Sequence, residues 1–246
     1  MTQRHDTPQT RRLIWIDLGR SAALLAMAVF HAARDLEMFG ALPPGTTVAG
    51  GWALFARLIV TAFLFLSGVS LVAARRGGLR LPAFWKRLAV VTGAAALVTV
   101  ATLIATPGAF IYFGILHAIA AASLFGLLLL RLPAWGAALF GVAVLAVDAE
   151  LGRAIDIGPW WAWAWTGIAR FLPPSLDYIP LIPWLAPYAF GIAAAKALPL
   201  GWPEPRRPYG AVLRVLAWPG GHSLGVYLVH QPVLIAVIWA LTRLSA

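Results

Sequence analysis

Leu13–Met38 reads LIWIDLGRSAALLAMAVFHAARDLEM, and it decides the fold. It is an apolar run long enough to cross a bilayer, whose hydrocarbon layer takes about 20 helical residues. Inside it lie His31 and, four residues later, Asp35 on the same helical face. Ionisable groups are expensive in hydrocarbon, so one found there is a functional candidate by default.

Working outward, similar runs follow at Trp52–Ala74, Leu88–Ala105, Ala109–Leu130, Ala134–Val147, Tyr178–Leu198 and Gly221–Leu241. The fifth is short for a span. Composition agrees with this reading: 61% of the 246 residues are hydrophobic and 11% are charged, against about 25% charged in soluble domains. The expected fold is therefore all-α, a multipass transmembrane bundle of about seven spans forming one domain over 1–246. Residues 1–12 form a short basic tail rather than a signal peptide. Gly158–Leu172 carries Trp160, Trp161, Trp163 and Trp165. It reads as an interfacial or re-entrant segment, because indole favours the headgroup level. A membrane-interface anchor and a substrate-stacking platform are both open for it.

Basic residues set the topology. Arg4, Arg11 and Arg12 precede the first run. Arg75, Arg76, Arg80, Lys86 and Arg87 lie between the second and third, and Arg131 follows the fourth. Lys196, Arg206, Arg207 and Arg214 lie around the loop before the seventh. All fall on one side if the N-terminus is cytoplasmic and the C-terminus outside. The net charge of +10 then reflects cytoplasmic loops and anionic lipid headgroups, not nucleic acid. There is no cysteine, which excludes disulfides and thiolate metal sites.

Three histidines sit deep: His31, His117 in the fourth run and His230 in the seventh. By helical rise, His31 and His117 are expected on the order of 10 Å below the outer boundary, with His230 nearer the middle. Imidazole handles protons near neutral pH, and Asp35 would hold the His31 ring in one tautomer. Buried interhelical hydrogen bonds are the plainer reading for each. Asp17 and Arg20 form either a structural ion pair or a phosphate clamp. No tight ligand spacing points to a metal.

The motifs fall in a recognisable order. RLIWIDLGR at Arg12–Arg20 and MAVFH at Met27–His31 come first, with Asp35 after them. FLFLSGVSL at Phe63–Leu71, YFGILHAIA at Tyr112–Ala120, DYIPLIPWLAPYAFGI at Asp177–Ile192 and GGHSLGVYLVHQPVL at Gly220–Leu234 follow. Together they resemble the heparan-α-glucosaminide N-acetyltransferase catalytic-domain family, from Arg11 to about Leu234. The resemblance implies transfer of an acetyl group from cytoplasmic acetyl-CoA to an amino-sugar or related acceptor outside a bacterial inner membrane. A membrane histidine would act as base or acyl carrier. His31, Asp35, His117 and His230 are then the catalytic candidates. Arg20, Arg75, Arg76, Arg80, Lys86 and Arg87 would meet the CoA phosphates. Gln231, Asp177, Tyr178 and Trp184 would face the acceptor, and His117 or Gln231 would donate to the oxyanion. The expected partners are lipids and a small-molecule or saccharide acceptor, with a homodimer possible in this class. The competing readings are a His-lined proton-coupled permease and a catalytically inactive family member.

Overall fold

The computed structural model describes residues 13–75, 78, 80–151, 158–168, 171–198 and 210–244. Arg76, Arg206, Arg207, Asp156 and the 1–12 tail lie outside the described residues. The described helices are α1 (Ile14–Met38), α2 (Gly50–Ala74), α3 (Leu81–Ala105), α4 (Ile115–Leu129) and α5 (Ala134–Leu151). They continue with α6 (Trp160–Trp163), α7 (Leu181–Ala197), α8 (Ala211–Gly221) and α9 (Ser223–Leu244). The fold is a helical membrane bundle. By length and composition α1, α2, α3 and Ser223–Arg243 of α9 can cross a bilayer, and α4, α5 and α7 are shorter helices packed with them.

Side-chain contacts fix the helix directions. Arg20 on α1 meets Ser70 on α2 at 2.7 Å, while Phe30 meets Trp52 with ring centroids 6.3 Å apart. These helices are antiparallel. Asp177, just before α7, accepts from the Ile115 N–H that opens α4. Tyr188 then packs on Gly126, and Lys196 donates to the carbonyls of Leu129 and Leu130 that close α4. So α4 and α7 are parallel. Leu71 on Gly126 and Arg75 on the Leu130 carbonyl align α2 with both. The Gly220 N–H donates to Ser21 at 2.8 Å, and higher up His31 meets His230. α1 and α9 therefore run the same way, as the alternating topology requires.

The most buried helix is α7, with Ala186, Ala189 and Ile192 fully sequestered. Small residues let it touch its neighbours through backbone. A Cβ at Gly191 would overlap the Phe65 carbonyl oxygen of α2, and one at Gly68 would overlap that of Tyr188. Ile182 has non-helical φ −103° and ψ 121°, so the first turn of α7 is broken between Pro180 and Pro183.

Several boundaries differ from the sequence expectation. α3 begins seven residues earlier, at Leu81, with Pro82 in its first turn, so Lys86 and Arg87 ride on the helix rather than in the loop. α4 begins only at Ile115, because Pro107 and Gly108 fall in a short 3-10 turn and Gly114 is the N-cap. α5 reaches Leu151 and is 18 residues long, longer than the short run expected. The Trp-rich segment contains one turn, Trp160–Trp163. It returns to the start of α7, where the Leu181 and Ile182 N–H groups donate to the Trp165 and Thr166 carbonyls. α8 was not foreseen as a separate helix; it breaks from α9 at His222.

Candidate functional site

The seam between α1 and α9 brings four of the sequence candidates together. The His31 and His230 ring centroids are 5.1 Å apart. One turn further on, the Gln231 Nε2 donates to Asp35 Oδ1 at 2.8 Å. Asp35 is 2% exposed. The carboxyl therefore serves Gln231, and no hydrogen bond ties it to His31. The residue next to His230 on the facing helix supplies the amide donor, while the His31 ring turns toward the other imidazole. His31 and His230 stand at one level, whereas counting residues had placed His230 deeper.

Three polar atoms at this seam are buried without a hydrogen-bond partner among the described residues: Asp35 Oδ2, His230 Nε2 and Gln231 Oε1. Buried polar groups are nearly always paired, so each such atom asks for an explanation. For His230 the chemistry is defined. Its Nδ1 lies 2.5 Å from the Tyr227 carbonyl oxygen. A carbonyl only accepts, so Nδ1 carries the hydrogen, and in the neutral ring Nε2 holds the lone pair. The helix thus fixes the tautomer and leaves a basic nitrogen at the seam.

His117 stands apart from this pair. Its Nδ1 accepts the Gly114 N–H at 3.2 Å, leaving Nε2 to donate to Thr99 Oγ1, also at 3.2 Å. Thr99 in turn donates to the Ile111 carbonyl. Both ring nitrogens are committed to holding the start of α4 against α3. The three imidazoles do not line one path.

The outer candidates hold loops. Asp177 Oδ2 accepts the Ile115 N–H at 3.0 Å; its half-buried carboxyl is pushed up to about 6 by burial, with that hydrogen bond pulling the other way. Tyr178 donates to the Ala164 carbonyl at 2.6 Å, and Tyr112 to that of Pro173. Burial raises both phenols above their ordinary value. Trp184 packs half-buried against the core. Sequence reading missed a rim of α1. Glu37 accepts from the Gly45 N–H and from both the N–H and hydroxyl of Thr47, and Arg34 donates to Thr47 Oγ1 at 3.0 Å. The signal was the i,i+3 pair Arg34–Glu37 beside Asp35.

A cavity of about 450 Å³ opens beside the first turns of α9. Arg20, Lys86 and Arg87 supply its cations, Ser67 and Ser223 its hydroxyls, and Phe63, Ile119 and Tyr227 part of its apolar wall. Of the cationic candidates, Arg75 is instead drawn to the end of α4, and Arg80 is the exposed N-cap of α3. Among the described residues, no three His, Asp or Glu side chains gather as a metal-binding group.

The described residues thus form a polytopic helical bundle with a half-buried imidazole pair and a basic, apolar-walled cavity. The chain belongs to the family described as heparan-alpha-glucosaminide N-acetyltransferase, catalytic, whose model matches residues 12–232. The match ends just past Gln231 and takes in His31, Asp35, His230 and Gln231. No curated protein and no solved structure matches the chain.

Proposed function

We propose that this protein is a membrane acetyltransferase that moves an acetyl group from cytoplasmic acetyl-CoA to an amino-sugar or related amine on the outer side. The observation that carries the reading is the His31–His230 pair, set beside three buried polar atoms that lack partners. The CoA phosphates meet Arg20, Lys86 and Arg87, and the pantetheine arm follows the apolar wall of the cavity.

The chemistry needs a base for the ammonium proton and donors for the oxyanion. The amine nitrogen attacks the thioester carbon and forms the C–N bond, sending the carbonyl π electrons to oxygen. His230 Nε2 takes the proton from nitrogen. Collapse of the intermediate expels the CoA thiolate, which receives that proton. His31, in ring contact with His230, is positioned to stabilise or relay it. Asp35 Oδ2 and Gln231 Oε1 are acceptors suited to the N–H and O–H groups of an amino sugar. This moves the acceptor subsite from Asp177 and Tyr178, which hold loops, to the seam itself.

The test uses proteoliposomes with labelled acetyl-CoA on one side and glucosamine on the other. His31→Ala and His230→Ala are each expected to lower turnover by at least about 10²-fold, the usual contribution of a positioned acid or base. Turnover unchanged in both variants removes the assignment.

A further inference from the structure

Tyr227 stands where the cavity and the histidine pair meet. It lines the cavity with Arg20, Lys86 and Arg87. Its ring centroid is 5.6 Å from that of His230, and its carbonyl oxygen fixes the His230 tautomer. The ring is packed against the Ala94, Ala95 and Leu116 cluster, which holds it in place.

The hydroxyl is the unexplained part. Buried tyrosines usually find a hydrogen-bond partner for their O–H. Tyr112 donates to Pro173 and Tyr178 to Ala164. The Tyr227 hydroxyl has no hydrogen-bond partner among the described residues. An unspent donor on a cavity wall, beside the candidate base, is suited to an acceptor atom that arrives with a ligand.

We infer that the Tyr227 hydroxyl donates a hydrogen bond to the acyl carbonyl oxygen of a thioester seated in this cavity, and so contacts the reacting group; this rests on the acetyl-transfer reading. As the amine adds, the carbonyl π pair moves onto that oxygen, and the donor strengthens its bond to the growing negative charge. When the C–S bond breaks, the pair returns to carbon and the hydroxyl keeps its own proton throughout. A donor already held by packing needs no reorganisation at that moment, which is the basis of oxyanion stabilisation.

Tyr227→Phe removes the hydroxyl and keeps the ring, its packing and the backbone carbonyl. The expected result is a fall in kcat of about 10²-fold, as for loss of one oxyanion donor, with KM for acetyl-CoA little changed. Binding of CoA and acetyl-CoA is measured on the same proteins in detergent. CoA lacks the carbonyl, so the variant keeps its CoA affinity and loses the parent's preference for acetyl-CoA. A Phe variant with parental kcat and parental preference overturns the inference while leaving the transferase reading intact. A variant that also loses CoA binding overturns it too, since a donor at the acyl end has no part in holding phosphates. A parent that neither binds CoA nor transfers acetyl overturns both.

Discussion

Gln231→Leu isolates the energetics of the α1–α9 seam. Asp35 is 2% exposed, and its hydrogen bond is the one from Gln231 at 2.8 Å. Its second oxygen already has none. Leucine fills a similar volume but cannot donate, so the whole carboxyl is stranded. Leaving a buried polar group unpaired costs about 1–3 kcal/mol. In a chain of this size each kcal/mol moves Tm by about 2–4 °C, so a fall of about 2–12 °C is expected. Replacing both partners is a different matter, because two apolar groups strand nothing. The double variant Asp35→Leu with Gln231→Leu should therefore unfold well above the sum of the two single losses. The coupling read from that cycle should be about 1–3 kcal/mol. Thermal unfolding in detergent, followed by the fluorescence of the 12 tryptophans, gives all four midpoints. Additive losses would mean that the two side chains do not act on each other, and the reasoning about the seam would be wrong.

His117→Ala removes the ring that caps α4, so it should cost about 1 kcal/mol of stability and retain acetyl transfer; a loss as deep as that of His230→Ala would refute the capping role. Lys86→Gln combined with Arg87→Gln should raise KM for acetyl-CoA about tenfold, equivalent to about 1.4 kcal/mol, with kcat held, and steady-state kinetics with a parental KM would count against the cavity. Asp177→Asn tests the outer loop. Burial pushes the Asp177 carboxyl up to about 6 from 3.8, so the folded protein keeps a proton that the unfolded chain releases between those values. Stability should then fall as pH rises through that window. The Asn variant still accepts the Ile115 N–H but does not titrate, so its Tm should vary less between about pH 4 and pH 7; equal slopes in the two proteins would refute the assignment.

Helix positions were legible because a membrane span announces itself by length and hydropathy, and His31 and His230 stood out against that background. Their meeting was not legible. Periodicity gives the face of one helix and says nothing of which neighbour that face meets, nor of the register. His230 counted as deeper because Gly221 reads as the inner end of its span, whereas the Gly220 N–H meets Ser21 well inside α1. His117 misled for a local reason: it lies three residues after an N-cap glycine, and its ring is spent on that turn. Lys86 and Arg87 were identified as cations for CoA, but their place on a helix became clear only when α3 proved to extend back to Leu81. Tyr227 is not legible in the sequence, because an unspent hydroxyl shows only once the side chains around it are placed.

The two halves of the α1–α9 seam lie far apart in the chain: Asp35 and Gln231 are separated by 196 positions. Ribosomes deliver helices to the bilayer in order, so the first half of this site waits through the synthesis and insertion of everything between. A chain stalled or clipped before α9 holds Asp35 and His31 without their partners. Such a fragment has no assembled site, and its Asp35 carboxyl lacks the amide donor that Gln231 supplies.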